Sequence, residues 1–256
     1  MNSCYLGPEI SPEQFIPEHL FLFLIKGTMN GYDGNKHYTL KAGEYCLVRK
    51  NRLARYNKVK DSDGFEKVAI LFDEDFLKSY LKNCSFNSQG FNSSETFLSL
   101  HPTEKVSHFI QSLKPHYKGE GRIDPKMVDV KRQELLNILL QLQPELANVF
   151  FDFGKPGKLN LEEYMNRHYK FNVSIERFAL LTGRSLSAFK RDFKAIFNET
   201  PSRWLIKKRL NEAHFLIHNN KKKPTDIYFD LGFEDLSHFS FAFKKQFGRT
   251  PTELGR

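Results

Sequence analysis

The sequence predicts two domains: a β-rich barrel or sandwich with following helices, and then an all-α domain of two similar units joined by a long helix. Three observations predict this arrangement. The first part changes from strand-like patterning, which ends at about residue 82, to helix-like patterning from about residue 103. A linker-like segment at 152–157 follows, and the last part contains an internal repeat. We therefore expect domains at 1–152 and 153–256.

Short runs rich in aromatic and β-branched residues predict the strands of the first domain. Glycine, asparagine and aspartate separate these runs at intervals of about ten residues, a spacing typical of a small sandwich or barrel. The predicted strands are Leu20–Ile25, His37–Leu40, Tyr45–Val48 and Val68–Phe72.

Helical spacing of apolar residues then predicts three helices in the same domain. They cover Asp73–Leu81, Val106–Leu113 and Met127–Leu142, and the polar segment Asn83–Ser94 is predicted to be a loop. The third helix carries a polar run at Lys131–Glu134 and is predicted to end before Pro144. Two roles stay open for it: a homodimer contact through residues 127–142, or a helix packed on the barrel.

The cysteines and the hydropathy pattern favour a cytoplasmic protein. Cys4, Cys46 and Cys84 are far apart, odd in number and without a CxxC spacing, which argues against a disulfide framework or structural zinc. No apolar run reaches eighteen residues, so we expect no membrane span.

The net charge of +9 is carried by the second domain. Residues 155–256 hold 20 Lys and Arg against 11 Asp and Glu, whereas the preceding 154 residues hold 19 of each. A basic domain attached to a neutral one points to a polyanion that binds the basic domain alone. On charge alone, a basic but non-binding surface is the alternative.

The second domain repeats a seventeen-residue segment at a distance of fifty residues. Ser185–Pro201 and Asp235–Pro251 are identical at eight positions, and their phenylalanines recur every fourth residue. That spacing places the phenylalanines of each copy on one buried helix face. Duplication of one structural unit explains the pattern.

Each copy follows a shorter helical segment and a glycine turn, which together predict a helix-turn-helix unit. Gly183 and Gly232 permit the sharp reversal, and Ser185 and Asp235 suit the N-caps of the second helices. Between the copies, Ser202–His218 is predicted to form one helix of roughly 25 Å. Two such units can reach successive major-groove segments, which lie about 34 Å apart.

This pattern resembles the AraC/XylS family of transcription regulators over about residues 160–255. The resemblance rests on the duplicated unit and on the run from Gly232 to Pro251. It implies a bacterial regulator, predicted to be an activator, that binds double-stranded promoter DNA and works with RNA polymerase. Tyr228 replaces the small alanine usual in the family, and Phe241 stands where many members carry arginine. These departures predict that the second unit relies less on base contacts and more on the DNA backbone or shape.

The resemblance assigns DNA contacts to the exposed faces of both repeated helices. In the first helix, Ser187, Lys190 and Arg191 correspond to base-contacting positions, and Arg191 suits bidentate binding of a guanine. Ala188 lies on the same face, and Lys194 suits a phosphate.

The second helix carries a corresponding set: Ser237, His238 and Ser240 for bases, and Lys244 and Lys245 for phosphates. A solvated surface histidine is the alternative for His238. Two basic clusters are predicted to contact the DNA backbone, and the alternative is that they are simply exposed to solvent. They are Lys207, Lys208 and Arg209, and Lys221–Lys223.

By the same resemblance, the first domain is a cupin-like barrel that binds a small effector, binds a regulatory protein or dimerises. The sequence does not choose among these. Six aromatic residues are candidates for an apolar effector pocket, although at alternating strand positions such residues more often form plain core: Phe21, Phe23, Tyr32, Tyr38, Tyr45 and Tyr56.

An enzyme with a fused DNA-targeting module, of a cupin or DNA-repair type, is the alternative function. The chain has no clustered cysteines, no HxH motif, no P-loop and no nucleophile elbow. His19 and His37 are isolated, so each is expected to be a surface or core histidine. We therefore expect no catalytic residues, no metal and no cofactor.

Overall fold

The computed structural model describes residues 3–6, 14–62, 64–82, 95–116 and 123–255 of the chain. It divides into two compact units, an N-terminal unit, Met1–Gly154, and a C-terminal unit, Lys155–Arg256. Each unit has its own hydrophobic core.

The described strands of the chain all lie in the N-terminal unit. They are β1 Ser3–Leu6, β2 Phe15–Ile16, β3 His19–Lys26, β4 Thr28–Tyr32, β5 His37–Lys41, β6 Tyr45–Val48, β7 Arg52–Leu53, β8 Arg55–Val59, β9 Glu66–Phe72 and β10 Phe97–Ser99. All four predicted strands are confirmed, as β3, β5, β6 and β9.

The main sheet of this unit has five strands in the order β1-β9-β3-β6-β10. Within it β1 runs parallel to β9 and the other pairs are antiparallel. A three-stranded sheet, β5-β4-β8, and a two-stranded sheet, β2-β7, accompany it.

The predicted helices of this unit are confirmed as α1 Glu74–Leu81, α2 Glu104–Ser112 and α3 Pro125–Leu142, and a short α4 Ala147–Phe150 follows. Asp73 caps α1 by accepting a hydrogen bond of 2.9 Å from the Phe76 N–H. The predicted loop Asn83–Ser94 lies outside the described residues.

Two charged residues that the sequence placed on the polar side of α3 are buried. Lys131 donates to the hydroxyl of Ser112 at 2.9 Å, and Arg132 pairs with the carboxylates of Asp73 and Asp129. The Arg132 guanidinium also lies 4.0 Å above the ring of Phe76. Long basic side chains can cover apolar surface with their stems while their heads find partners, so charge alone did not reveal this burial.

The same helix packs its leucines into the core of the N-terminal unit. Leu135, Leu136 and Leu139 are buried in the cluster that also holds β3 and β9 side chains. This is the packed-helix role that the sequence left open. The homodimer contact through residues 127–142 stays a prediction, and Val130 is an exposed apolar residue of this helix.

The six aromatic candidates for an effector pocket do not gather at one place. Phe21, Phe23 and Tyr45 belong to the core cluster that packs against the helices. Tyr38 and Tyr56 pack against a second cluster, which contains the alternate β3 residues such as Leu22. Successive strand residues face opposite sides of a sheet, so aromatic content did not reveal the division. Tyr32 is half-buried, with the ring of His37 at 4.7 Å and the Arg55 guanidinium at 4.9 Å.

His19 proves to be a core histidine. Its Nδ1 accepts a hydrogen bond of 3.3 Å from the Lys50 N–H, and its ring meets that of Phe150 edge-on at 5.6 Å. Burial lowers its pKa to about 3, and the positive charges of Lys50 and Arg49 act in the same direction. The folded protein therefore holds this ring in its neutral form at physiological pH.

The neutral His19 predicts a loss of stability in mild acid. An unfolded histidine binds a proton near pH 6.5, whereas the folded one does so only near its pKa of about 3. The free energy of unfolding therefore falls as the pH drops below 6.5, by up to about 1.4 kcal/mol per pH unit. We expect His19→Asn, which keeps an acceptor for the Lys50 N–H but does not titrate, to weaken this dependence between pH 7 and pH 5.

Denaturant titrations at pH 7, 6 and 5 measure the effect, with His108→Asn as the control at an exposed histidine of α2. The same slope in wild type and His19→Asn would contradict the assignment.

The C-terminal unit is helical, and its described residues, 155–255, contain no strand. Its helices are α5 Leu161–His168, α6 Ile175–Leu181, α7 Leu186–Phe197, α8 Pro201–His218, α9 Pro224–Ile227, α10 Leu236–Phe247 and α11 Pro251–Leu254. The two repeated segments are α7 and α10 with their flanking caps, and α8 is the predicted connecting helix. The predicted fold class, a sheet-rich domain followed by a domain of two helix-turn-helix units, is therefore confirmed.

Candidate nucleic-acid interface

The first helix-turn-helix unit consists of α6, a turn at Gly183 and α7. Gly183 has φ +66°, and a Cβ there would lie 2.5 Å from the Gly157 carbonyl oxygen, so only glycine fits. Ser185 caps α7 by accepting from the Ala188 N–H at 3.3 Å. Phe189 and Phe193 are fully buried. The opposite face of α7 is thereby directed to solvent.

The second helix-turn-helix unit repeats this construction with α9, a turn at Gly232 and α10. Gly232 has φ +83°, and a Cβ there would lie 2.6 Å from the Lys170 carbonyl oxygen. Asp235 caps α10 by accepting from the His238 N–H at 2.7 Å. Phe239 and Phe243 are fully buried. The duplication seen in the sequence is thus a duplication of caps, turn and core.

One apolar residue of α7 does not join its buried face. Ile196 is exposed, although it follows the buried Phe193 by three residues. The neighbouring Phe197 takes the packing position instead, with its ring 4.6 Å from that of Trp204 and 4.4 Å from that of Phe193.

The structure brings each predicted set of DNA contacts onto the outer face of a single helix. On α7 the set is exposed except for Ala188, which is half-buried. On α10 it is exposed except for Ser240, which is half-buried. The two sets are Ser187, Ala188, Lys190, Arg191 and Lys194 on α7, and Ser237, His238, Ser240, Lys244 and Lys245 on α10.

Arg191 is held by an acidic neighbour that the sequence analysis did not single out. Its Nε and Nη2 donate to one carboxylate oxygen of Asp192 at 3.2 and 3.0 Å. The other oxygen accepts from Nε of Arg184 at 3.2 Å. The hydrogen bonds from Arg191 and Arg184 hold the pKa of Asp192 below its usual value. Asp192 therefore links Arg191 to the turn, because Arg184 also donates to the carbonyl oxygens of Leu159 and Thr182.

The connecting helix α8 packs against both helix-turn-helix units. Near its N-terminal end the ring of Trp204 meets those of Phe193, Phe197 and Tyr169, at centroid distances of 5.6, 4.6 and 6.4 Å. Near its C-terminal end, Ile217 shares a core with Phe239 and Phe243. The second helices of the two units, α7 and α10, which we call the recognition helices, are thus both attached to α8.

Arg209 lies inside this arrangement, and it corrects a sequence prediction. It was expected to contact the DNA backbone, but it is only 8% exposed and lies between the two helix-turn-helix units. Its Nε, Nη2 and Nη1 donate to the carbonyl oxygens of Tyr169, Phe171 and Gly232 at 2.7, 2.8 and 2.8 Å. Burial lowers its pKa to about 10, so it remains charged at neutral pH.

The helical period contained a signal for this burial. Arg209 lies four residues after Leu205 and four before Ala213, both of which are buried on α8. It therefore belongs to the apolar stripe rather than to a cluster with Lys207, which is exposed, and Lys208, which is half-buried. Lys207 pairs with Glu199 at 2.9 Å, and Lys208 lies 5.7 Å from the rings of Tyr169 and Trp204.

In the described part of the chain, no group of three or more His, Cys, Asp or Glu side chains is placed to hold a metal ion. None of the helices there has both the length and the apolar character needed to span a membrane.

Two family models match the two parts of the chain. The ExsA N-terminal regulatory domain matches residues 19–149, and a helix-turn-helix domain matches residues 178–256.

Several relatives match this chain over nearly its full length. The HTH-type transcriptional activator RhaS of an Enterobacter species is 33% identical over 247 residues, which cover 95% of this chain and 87% of that protein. The HTH-type transcriptional regulator ExsA of Pseudomonas aeruginosa is 24% identical over 236 residues, covering 90% and 83%. Among solved structures, an apo ToxT variant from Vibrio cholerae is 15% identical with a TM-score of 0.45, over 94% of this chain and 89% of that one.

The three hydrogen bonds of Arg209 predict a large effect of a conservative substitution. Arg209→Lys keeps the charge but cannot reach three carbonyl oxygens in a planar fork. Each carbonyl oxygen left unpaired in the interior costs about 1–3 kcal/mol. We expect the free energy of unfolding of the C-terminal unit to fall by at least about 2 kcal/mol in urea titrations of the full chain.

Lys207→Ala is the matched control on the same helix, because this lysine is exposed and its pair with Glu199 is worth at most about 1 kcal/mol. Equal stability of Arg209→Lys and Lys207→Ala would show that Arg209 does not hold the unit together.

Proposed function

Because this chain belongs to the AraC family of transcription regulators, we propose that it activates transcription by inserting α7 and α10 into two successive major-groove segments of promoter DNA. The chain is a DNA-binding transcription regulator with an N-terminal regulatory domain, as its relatives are. The comparisons give no support to the enzyme alternative. The observation that carries the proposal is the pair of equivalent, solvent-directed helices on one connecting helix.

The length of α8 supports simultaneous insertion. Its 18 residues span about 27 Å, close to the separation of about 34 Å between successive major-groove segments on one face of DNA. Its contacts with both helix-turn-helix units oppose independent rotation of the recognition helices.

On α7 we propose Arg191 as the main base contact, with Ser187, Ala188 and Lys190 beside it. The bond to Asp192 uses Nε and one hydrogen of Nη2, so Nη1 and the rest of Nη2 keep donors for the O6 and N7 of a guanine. Asp192 would then orient the guanidinium before DNA arrives, which reduces the entropy lost on binding.

The lysines near the helix ends are proposed to bind phosphates. Lys194 on α7, and Lys244 and Lys245 on α10, are all exposed. Ser237, His238 and Ser240 form the part of α10 that precedes these lysines, where recognition helices contact base edges.

For the N-terminal unit we propose a regulatory role exerted through an effector, a regulatory protein or a second copy of the chain. The match of residues 19–149 to a regulatory domain supports regulation in general. Contact with RNA polymerase is proposed from the activator names of relatives such as RhaS.

Selection from a random duplex pool at physiological salt tests the proposal with the full chain. We expect enrichment of two short conserved blocks, separated centre to centre by about one turn of DNA, or about 10 base pairs. Enrichment of one block would show that only one helix contacts bases. No enrichment would contradict sequence-specific binding.

Arg191→Ala is expected to weaken binding to the selected duplex by about 5- to 150-fold, because a bidentate guanine contact contributes about 1–3 kcal/mol. Binding to a scrambled duplex should change little. Electrophoretic titrations on both duplexes measure the two affinities. Arg167→Ala, at an exposed arginine of α5 outside both recognition helices, is the control. Equal losses on selected and scrambled DNA would argue against a base contact by Arg191.

Salt dependence separates the phosphate contacts from the base contacts. Lys244→Ala or Lys245→Ala should reduce the slope of log affinity against log salt by about 1 and weaken binding on all sequences alike. Arg191→Ala should leave that slope nearly unchanged if it contacts only a base. An unchanged slope in both lysine variants would contradict their assignment to phosphates.

A further inference from the structure

Phe241 has the largest exposed fraction, 70%, of any large hydrophobic side chain in the described part of the chain. It lies in the middle of α10, outside the core cluster to which Phe239 and Phe243 contribute. A single exposed phenylalanine is common on protein surfaces and by itself requires no explanation. Its position, however, is specific.

The internal repeat places Phe241 at the same position as Arg191. Both are the sixth residue of their recognition helices, and both follow a cap that accepts from the helix's third N–H. The Arg191 side chain is 76% exposed, so the two helices direct comparable side chains to solvent at this point. The position that offers hydrogen-bond donors on α7 therefore offers only an apolar ring on α10.

The surroundings of Phe241 on α10 are polar and basic. Helix neighbours three and four residues away are Ser237 and His238 on one side and Lys244 and Lys245 on the other. All four are exposed. A lone ring between polar residues and two lysines does not form the contiguous apolar patch on which a protein partner docks. It is instead suited to a polyanion that also exposes a small apolar group.

We infer that Phe241 selects thymine in the second DNA block by packing against its 5-methyl group. Thymine is the base that presents a methyl group in the major groove, and phenylalanine is among the side chains that contact it. This inference rests on the proposed function, because it requires α10 to lie in the major groove. Compared with Arg191 at the same position of α7, Phe241 then changes the base feature that the helix selects, rather than removing the base contact.

Replacement of thymine by deoxyuridine tests this contact, because it removes the methyl group alone. The full chain is titrated with the selected duplex, in which each thymine of the second block is replaced in turn. To tell the two blocks apart, each block is scrambled in turn and the affinities of wild type and Arg191→Ala are compared. The first block, which α7 contacts, is the one whose scrambling abolishes the difference between these two affinities. For wild type we expect about a four-fold loss of affinity at one or two positions, the effect of one buried methyl group.

Phe241→Ala should bind the thymine duplex more weakly and be indifferent to those replacements, whereas Phe241→Leu should keep part of the dependence. Phe215→Ala is the matched control, since Phe215 is an exposed phenylalanine of α8 and should keep the full dependence. Thermal unfolding of each variant verifies that the C-terminal unit remains folded.

The outcomes separate this inference from the proposed function. Two enriched blocks with no deoxyuridine effect at any position would overturn the role of Phe241 and leave the proposed function intact. A full deoxyuridine effect in Phe241→Ala would overturn it too. Phe241→Ala that binds like wild type but fails to activate transcription would assign the ring to a protein contact instead. No enrichment of any sequence would overturn both.

Discussion

The C-terminal unit depends on one buried positive charge. Arg209 donates to three carbonyl oxygens, of which two follow α5 and the third belongs to the turn before α10. Those carbonyl oxygens lie at helix ends and turns, outside the regular hydrogen bonding of a helix interior, and that of Phe171 also accepts from the Val173 N–H at 3.1 Å. The guanidinium is large, planar and weakly hydrated, so it can satisfy all three at a lower desolvation cost than an ammonium. It thereby connects α8, the segment that precedes the first helix-turn-helix unit and the turn of the second.

This connection explains how two small helix-turn-helix units act as one surface. A unit of about forty residues buries too little apolar area to be stable alone. Here α8 supplies the missing core to both, through Trp204 on one side and Ile217 on the other. The buried phenylalanines of α7 and α10 are equivalent, whereas their outer faces differ at Arg191 and Phe241. The common interior sets the geometry, and the outer faces are free to set the choice of DNA sequence.

Aromatic and β-branched runs between turn residues were sufficient to predict four of the ten described strands, and the spacing of apolar residues predicted the longer helices and the repeat. Such patterns were insufficient for charged residues that are buried with partners distant in the chain. Arg209, Arg132 and Lys131 were placed on polar surfaces, although each of them has a partner on another element. Aromatic content likewise did not show which sheet face a residue occupies, as the separation of Phe21 from Tyr38 illustrates. Asp192 was not singled out because its role depends on two arginines that only the fold brings together.

Because α8 and Arg209 attach the two recognition helices to each other at one separation, varying the separation of the two blocks in the DNA tests this constraint. The full chain is titrated with the selected duplex after insertion of two, five or ten base pairs between its blocks. Five inserted base pairs place the second block on the opposite face of the duplex, about half a turn away. With a fixed separation of the helices, affinity should then fall to that of a duplex with one block scrambled. Affinity that is unaffected by five inserted base pairs would show that the two helix-turn-helix units move independently, contrary to a fixed separation.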